Sequence, residues 1–309
     1  MEIEQELASI TPKGQTLLTI GVFDGVHAGH RYLLEELQQR AAERRLLRGV
    51  VTFDPHPQSI LHPRDQLPQL SSLADRVTTF KELGVNIVAV VTFTARLAQL
   101  SAREFMSMLK KHLQMQGIVV GPDFTLGRGG EGSISLLGAL GRHMDFTVEV
   151  VPPYVVNGDV VSSTLIRKAL AQGDMGRVRR LMGRHFFLRG KVITTDKRGR
   201  LLGFPTANLD VKPEQALPAN GIYATITNVE GRDFPSATNI GLRPTFGDGE
   251  RTVETHLLHY EGDLYGKEIR VEFAHKLRDE QRFPSPEALK TQIEKDIREV
   301  EALLAKDGR

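Results

Sequence analysis

The sequence predicts an α/β domain with a doubly wound parallel sheet, followed by an antiparallel β-barrel domain with a C-terminal helix. Three observations carry this prediction. In the first half of the 309-residue chain, short apolar runs typical of buried strands alternate with segments of helical periodicity. Beyond about residue 184, short β-rich runs follow one another without helices between them. A single long amphipathic stretch closes the chain.

The first half predicts strands and helices in alternation. Ser72 with Asp75 and Ser101 with Glu104 mark two helix starts, because a serine followed three residues later by an acid forms an N-terminal cap. In such sheets ligands bind beyond the carboxyl ends of the strands, so the loops that follow the strands are the expected sites. The predicted strands cover 17–23, 49–53, 85–93, 118–124 and 145–151, and the predicted helices cover 31–47, 72–83 and 101–116.

The second half predicts about six short strands that close into a barrel. They are rich in β-branched and aromatic residues, and Gly, Pro, Asn and Asp separate them. A helix begins after Ser285 and Pro286, and we expect it to pack across the barrel. The clearest strands cover 185–194, 221–229, 236–241, 252–260 and 268–277. The apolar stripe of the helix comprises Leu289, Ile293, Ile297, Val300 and Leu304.

Composition argues against several classes of function. The chain has forty Lys and Arg and thirty-eight Asp and Glu. This balance does not favour a surface that binds nucleic acid. A basic cluster at 177–184 is typical of a solvated helix face. The chain has no cysteine, so a disulfide framework, a thiol nucleophile and a thiolate metal site are ruled out. The amino end, residues 1–13, is acidic and polar with no apolar signal core, and no apolar run approaches the length of a membrane span. We expect a cytoplasmic protein, monomeric or weakly homo-oligomeric, without nucleic-acid or membrane partners.

The stretch from Thr19 to His30 reads Thr-Ile-Gly-Val-Phe-Asp-Gly-Val-His-Ala-Gly-His and forms a predicted strand-to-helix turn. Glycines such as Gly21 and Gly29 let the backbone approach a ligand, and the start of the helix offers free N–H groups to an anion. His27 and His30 are three residues apart, so both rings can face one bound phosphate. The alternative is that the two histidines only cap the helix or bind metal adventitiously.

A second stretch, Val161 to Arg167, combines hydroxyl groups with a cation at a predicted helix start. The hydroxyls of Ser162, Ser163 and Thr164 and the guanidinium of Arg167 would converge on one anion. The alternative is that these hydroxyls serve only as an N-terminal cap.

A third stretch, Gly199 to Asn208, reads Gly-Arg-Leu-Leu-Gly-Phe-Pro-Thr-Ala-Asn. The Thr206 hydroxyl and the Asn208 side-chain carbonyl are hard oxygen ligands on one side of an extended chain. They suit Mg²⁺ that carries ATP phosphates. Taken alone, the Pro-Thr-Ala-Asn segment would also fit a purely structural turn.

The first two stretches resemble motifs of the nucleotidylyltransferases. The Phe-Asp-Gly-Val-His form resembles the bacterial bifunctional riboflavin kinase and FMN adenylyltransferase family, or FAD synthetases. The resemblance implies that His27 and His30 are catalytic, acting at the α-phosphate of ATP. It also implies an ATP site made of Gly21, Phe23, Asp24, Gly29, Ser162, Ser163, Thr164 and Arg167.

Two further segments resemble the flavin side of the same family. Val-Thr-Phe-Asp-Pro-His-Pro implies a flavin contact at His56, although a rigid proline turn is an equal alternative there. Gly-Pro-Asp-Phe implies contacts at Asp123 and Phe124. The glycine-rich loop 125–132 that follows suggests a mobile flap. Leu126 stands where relatives carry an aromatic residue, which leaves the flavin contacts of this loop open.

The second half resembles riboflavin kinases. Gly-Phe-Pro-Thr-Ala-Asn implies that Gly203, Pro205, Thr206 and Asn208 bind nucleotide, with Thr206 and Asn208 as metal ligands. Val-Glu-Thr-His-Leu-Leu implies that Glu254 is the catalytic base for the ribityl hydroxyl. Without that context, a strand glutamate facing solvent is the simpler interpretation. Leu-Arg-Asp-Glu places Arg278 in a flavin-binding loop.

The resemblance extends from about residue 17 to residue 297 and implies a bifunctional enzyme. Residues 1–183 would form the FMN adenylyltransferase domain and residues 184–309 the riboflavin kinase domain. ATP is the expected co-substrate, Mg²⁺ the cofactor, riboflavin and FMN the acceptors, and FMN and FAD the products. Two alternatives are an adenylyltransferase for another phosphate ester with a flavin-sensing barrel, and a non-catalytic flavin-binding regulator.

Overall fold

A five-stranded parallel sheet forms the centre of the first of two units, residues 1–163 and 164–309. The computed structural model describes residues 2–65, 67–194, 203–242 and 251–308. The sheet contains β1 (Thr16–Ile20), β2 (Leu47–Asp54), β3 (Ile87–Thr92), β4 (Met115–Val120) and β5 (Thr147–Val150), in the order β3-β2-β1-β4-β5. The helices are α1 (Glu2–Ser9), α2 (Ala28–Glu43), α3 (Pro57–Leu61), α4 (Leu73–Glu82), α5 (Ala102–Leu113) and α6 (Ile134–Met144). A small antiparallel pair, β6 (Val155–Val156) and β7 (Asp159–Val160), completes the unit.

Helices cover both faces of this sheet, as predicted. Successive side chains of a strand point to opposite faces, so Leu17 joins a core with Leu37 of α2 and Phe80 of α4. Its neighbour Leu18 joins a separate core with α1, α5 and α6, to which Met106 belongs. β1 lies at the centre, between β2 and β4. The order of the strands reverses beside it, and in open sheets this switch point is where ligands bind.

Several boundaries differ from the predicted ones. β1 ends at Ile20, because Phe23 has a φ of 55° and cannot continue a strand. α2 begins at Ala28, three residues earlier than predicted. Gln114, with a φ of 52°, ends α5 and lets β4 begin at Met115 rather than at residue 118. Three helices, α1, α3 and α6, and the β6 and β7 pair are present in the structure and were not predicted.

A closed six-stranded antiparallel barrel dominates the described part of the second unit and confirms the predicted fold. Its strands are β8 (Phe186–Ile193), β9 (Ala207–Leu209), β10 (Gly221–Val229), β11 (Arg232–Leu242), β12 (Arg251–Leu257) and β13 (Glu268–Arg278), closed in the order β10-β11-β12-β9-β8-β13. The helices are α7 (Ser163–Gln172), α8 (Met175–Met182) and α9 (Pro286–Lys306). The segments 195–202 and 243–250 lie outside the described residues, so the first four residues of the predicted motif 199–208 are not part of the description.

Hydroxyl groups occupy part of the barrel interior. Thr225 bonds Thr238 at 2.7 Å, and Thr238 donates to Thr255 at 2.9 Å. Thr227 bonds Ser236 at 2.6 Å. All five side chains are completely buried, and we refer to them as the hydroxyl cluster. Because strand residues alternate between faces, the neighbours of the cluster point to the outside of the barrel.

Helices pack against the outer surface of the barrel. Val300 and Leu304 of α9 join a buried cluster with Ala224 and Ile226 of β10, as the predicted stripe requires. α8 packs against β8 and β13, and its residues Val178 and Leu181 are buried. The second compact unit begins at Thr164, twenty residues before the predicted start of the second domain at residue 184. A compact unit need not coincide with the part of the chain that carries one activity. The predicted functional limits, residues 1–183 and 184–309, therefore stay a prediction.

Candidate active sites

The turn between β1 and α2 holds both imidazoles that were predicted to be catalytic. His27 caps α2, since its Nδ1 accepts the backbone N–H of His30 at 3.3 Å. The two rings stack with 3.6 Å between their centroids and 17° between their planes. The edge of Phe23 contacts the His30 ring at 5.1 Å. The capping role considered from the sequence is therefore real for His27, and the cap itself brings the two rings together.

Burial keeps the His30 ring neutral. Its Nδ1 is buried and has no hydrogen-bond partner among the described residues. Burial lowers the pKa of His30 well below the usual 6.5, and the charges of His27 and Arg76 lower it further. A neutral imidazole still carries one N–H group that stabilises charge on a phosphoryl oxygen.

Hydrogen bonds from the loop before α4 hold the histidine turn in an unfavourable backbone conformation. Phe23 and Val26 have φ angles of 55° and 39°, and such conformations cost about 1–3 kcal/mol each. The Asp24 carboxylate accepts the backbone N–H groups of Leu70 at 2.9 Å and Ser71 at 3.1 Å. Asp24 was predicted to bind ATP. Its carboxylate is engaged in anchoring the turn.

Gly21 and Gly29 keep the aromatic rings of this turn in place. A Cβ atom on Gly21 would lie 3.2 Å from the Phe23 ring, and one on Gly29 would lie 3.3 Å from the His27 ring. Either contact is tighter than an ordinary van der Waals contact, so alanine at these positions would displace the rings. The glycines thus protect the imidazole geometry in addition to any approach by a ligand.

The sequence interpretation missed Arg76, which is 2% exposed on α4. Its guanidinium donates to the Val22 carbonyl and to Thr52 Oγ1, and it lies 3.8 Å from the Asp54 carboxylate. Arg76 thus connects the segments that follow β1 and end β2, close to His30. The available signal was its position four residues before the fully buried Phe80 on the same helix face.

The second predicted motif begins next to the histidine turn. Ser163, the first residue of α7, donates its Oγ hydrogen to the Asp24 carbonyl at 3.1 Å. Ser162 immediately precedes the helix, Thr164 lies in its first turn, and Arg167 lies one turn further along. The structure therefore brings Ser163 of the second motif into contact with Asp24 of the first.

The three residues predicted on the flavin side occupy different settings. His56 caps α3, with its Nδ1 accepting the N–H of Gln58 at 3.1 Å, and this supports the structural alternative. Asp123 is exposed, whereas Phe124 packs against the core of α5 and α6. Their flavin contacts stay predictions.

The glycine-rich loop 125–132 is anchored at its base. Leu126 and Gly132 exchange backbone hydrogen bonds of 3.3 Å and 2.8 Å. Arg128 donates its backbone N–H to the Leu100 carbonyl at 2.8 Å. A flap, as expected from the sequence, would therefore be restricted to the tip around Gly129 and Gly130.

A row of paired residues crosses the outer face of the barrel and contains three of the predicted kinase residues. Asn239 of β11 pairs with Glu254 of β12, which pairs with Asn208 of β9. Ile222 and Arg278 extend the row beyond Asn239. We call this set the outer row. Directly paired residues have Cβ atoms about 4.5–5.5 Å apart, so Glu254 and Asn208 are immediate neighbours.

The segment that carries Thr206 and Asn208 is fixed from β12. His256 bonds the Pro205 carbonyl through Nδ1 at 2.8 Å, and its ring meets the edge of Phe204 at 5.7 Å. Asn208 is buried, and its Oδ1 has no hydrogen-bond partner in the described parts of the chain. A buried unpaired carbonyl oxygen is the group that a hard cation would satisfy. No cluster of three His, Asp or Glu suited to a metal occurs among the described residues.

Arg278 is held by a residue that the sequence interpretation missed. Its Nη2 donates to Asp296 Oδ2 at 2.7 Å, and its Nε donates to the same carboxylate at 3.0 Å. Asp296 lies on α9 and is 3% exposed. An aspartate within the apolar stripe of α9 was the available signal, because a buried carboxylate requires a partner.

Each half of the chain matches the model of a known protein family. The FAD synthetase family model matches residues 9–165, and the riboflavin kinase family model matches residues 182–304. A bifunctional riboflavin kinase/FMN adenylyltransferase from Pseudomonas fluorescens is 40% identical over 99% of this chain and 98% of its own. One from Escherichia coli K12 is 38% identical over 93% and 92%.

Among solved structures, a crystal structure titled as a macrolide-efflux protein from Streptococcus pneumoniae matches with a TM-score of 0.86. It is 28% identical and covers 96% of both chains. Within the part of the chain that is described, none of the helices combines the length and apolar character needed to cross a membrane.

Proposed function

This chain belongs to the family of bifunctional riboflavin kinases/FMN adenylyltransferases, and on that basis we propose which of its residues carry each reaction. The protein phosphorylates riboflavin to FMN with ATP and transfers AMP from ATP to FMN, which gives FAD and pyrophosphate. The bifunctional activity expected from the sequence is confirmed. The residue roles that follow are our proposals.

We propose that adenylyl transfer takes place at the histidine turn. A phosphate oxygen of FMN attacks the α-phosphorus of ATP, and pyrophosphate leaves. His27 and His30 would donate N–H groups to the oxygens on which charge develops. The stacked pair at the carboxyl end of β1 is the observation that supports this role most directly. Ser162, Ser163, Thr164 and Arg167 would bind the outer phosphates, as donors at a helix start do.

For the kinase reaction, we propose that Glu254 accepts the proton of the ribityl primary hydroxyl as the γ-phosphoryl group is transferred. The pairing of Glu254 with Asn208 supports this role, since a carboxylate then lies next to the side chain that we propose as part of the phosphate site.

Thr206 and Asn208 would hold Mg²⁺, and the unpartnered Asn208 Oδ1 fits that ligand. When bound, the ion would neutralise charge on the ATP phosphates. Mg²⁺ usually takes few protein oxygens together with substrate phosphates, in agreement with a site of only two side chains.

Product analysis of wild-type protein and two variants tests these assignments. Purified protein with riboflavin, ATP and Mg²⁺ should form FMN and then FAD, and chelation of the metal should stop the kinase reaction. Glu254→Gln should fail at the first step but convert supplied FMN, whereas His30→Ala should accumulate FMN. If both variants lost the same reaction, the division of residues between the reactions would be wrong.

We also propose that residues 1–183 and 184–309 are the functional limits of the two activities. The family models end at residue 165 and begin at residue 182, which agrees with a division in this region. We further propose a cytoplasmic enzyme that is monomeric or weakly homo-oligomeric, with neither nucleic-acid nor membrane partners. The need for ATP in both reactions and the balanced charge of the chain support this proposal.

A further inference from the structure

The outer row contains a polar residue to which no role has been assigned. Asn239 lies directly opposite Glu254 on β11, just as Asn208 lies opposite Glu254 on β9. The proposed base is therefore flanked by two carboxamide side chains on neighbouring strands. Thr238 and Thr255 belong to the hydroxyl cluster inside the barrel, so Asn239 and Glu254 share the outer face.

The side-chain oxygen of Asn239 has the same unusual property as that of Asn208. Its Oδ1 is buried, and no donor among the described residues bonds it. Buried polar atoms are nearly always hydrogen-bonded, so an exception requires an explanation. Two such exceptions on either side of one carboxylate indicate a surface prepared for a ligand.

The spacing of the strands that carry the two side chains argues against one shared cation. Neighbouring strands lie about 4.7–4.9 Å apart, so the backbones at Asn208 and Asn239 are separated by about 10 Å across two strand spacings. Magnesium binds oxygen at about 2.0–2.1 Å, which is short compared with that separation. Asn239 therefore faces a different part of the bound substrates.

We propose that Asn239 binds a hydroxyl group of the acceptor's polyol chain, on the side of Glu254 opposite Asn208. This inference rests on the proposed roles of Glu254 and Asn208. The phosphate donor, the base and the acceptor alcohol would then follow the order of the row. A carboxamide offers an acceptor oxygen and a donor NH₂ group, and both suit a hydroxyl without adding charge beside Glu254.

Steady-state kinetics of Asn239→Ala test the proposal. Loss of a buried hydrogen bond to substrate should raise KM for riboflavin about 5- to 30-fold, with KM for ATP within twofold of wild type. The midpoint of thermal unfolding should not fall, because the Oδ1 atom makes no hydrogen bond that the variant would lose. FAD formation from supplied FMN should be unchanged, since it uses the other half of the chain.

Asn228→Ala provides a matched control on the same barrel. The Asn228 side chain bonds Asp233 at 2.6 Å and the Gly231 N–H at 3.2 Å, within the turn between β10 and β11. This variant should lower stability and leave KM for riboflavin unchanged. The opposite pattern in the two variants would separate a substrate contact from a structural one.

Riboflavin analogues that each lack one ribityl hydroxyl identify the contact. Wild type and Asn239→Ala should have the same KM for the analogue that lacks the contacted hydroxyl, and different values for the others. A KM for riboflavin within twofold of wild type would overturn the proposal. So would a rise confined to ATP or to the Mg²⁺ requirement, or an equal response to every analogue.

If the alanine variant does not fold, Asn239→Asp provides a second test of the proposal. It preserves the side-chain shape and places a second carboxylate opposite Glu254. A carboxylate has no N–H group to donate, so KM for riboflavin should rise at least as far as in the alanine variant, with FAD formation from supplied FMN unchanged. A KM for riboflavin within twofold of wild type in this variant would overturn the proposal.

Discussion

His27 and His30 are linked twice, by a hydrogen bond from the His30 N–H to His27 Nδ1 and by stacking of their rings. The bond that caps the helix is thus the bond that positions the pair. A change at either residue should disturb the reaction at the α-phosphate more than it disturbs the fold.

Replacement of His30 by alanine should slow FAD formation by roughly 10² or more, as expected for loss of a preorganised electrostatic donor. FMN formation should stay near the wild-type rate. Chromatography of both products from one incubation measures the two effects together. The exposed His62, which ends α3, offers a control, and His62→Ala should change neither rate. Unchanged FAD output in His30→Ala would show that the rings serve only as caps.

The first unit should lose stability in mild acid because of His30. The folded chain keeps its pKa well below 6.5, whereas in the unfolded chain the ring titrates near 6.5. Between these values the unfolded state binds a proton that the folded state excludes, so the free energy of unfolding falls as the pH drops below about 6.5. Above that pH the ring is neutral in both states, so His30 does not lower the free energy of unfolding there. His30→Gln should reduce the slope of unfolding free energy against pH. Pulse proteolysis in urea, scored by cleavage within residues 1–163, measures it, and an unchanged slope would contradict the burial argument.

Glu254→Gln should reduce kinase turnover by about 10²- to 10⁴-fold, the range for loss of a general base. The amide retains the size of the side chain, so binding of riboflavin and ATP should stay within a few fold. FAD synthesis from supplied FMN should continue. A kinase rate within threefold of wild type would make Glu254 a structural residue of β12, since phosphoryl transfer depends mostly on positioning and cations.

Asp296→Ala should destabilise the second unit by about 3–5 kcal/mol, because it leaves the Arg278 guanidinium largely buried without its partner. Kinase activity should fall with it, since Arg278 stands at one end of the outer row. Thermal unfolding of the full chain provides the measurement. Asp233→Ala, at the turn between β10 and β11, is the control and should cost less than 1 kcal/mol, as for an exposed pair.

A fragment that begins at Thr164 should phosphorylate riboflavin and make no FAD. A fragment that begins at Arg184 lacks α8, which packs against β8 and β13, and its unfolding temperature should be lower. If both fragments make FMN, the predicted kinase limit at residue 184 holds and α8 contributes only stability. A soluble Thr164 fragment that folds without kinase activity would contradict the assignment of the kinase to the second half.

Local patterns predicted the two architectures well, since apolar periodicity and helix caps depend on residues close in sequence. The parallel sheet, the barrel, the capping box at Ser101 and the packing of α9 are confirmed. Boundaries were wrong where the backbone enters the left-handed region at a residue other than glycine. Phe23 and Gln114 are such residues, and their side chains give no warning of it.

Contacts between segments that are distant in the sequence could not be predicted from it. Arg76 reaches the end of β2, and Asp296 reaches Arg278, only because the fold brings them together. Both are buried charges within apolar helix faces, which is a signal of a partner but not of its identity. The register that places Asn239 and Asn208 on either side of Glu254 likewise depends on the pairing of strands.

The hydroxyl cluster inside the barrel limits how this protein can change over evolutionary time. Thr225, Thr227, Ser236, Thr238 and Thr255 satisfy one another, so loss of a single hydroxyl would strand a buried partner. Joint replacement by apolar residues of similar size would avoid that penalty. We expect these five positions to covary in lineages of this chain, with mixed combinations selected against even though the side chains face away from the outer row.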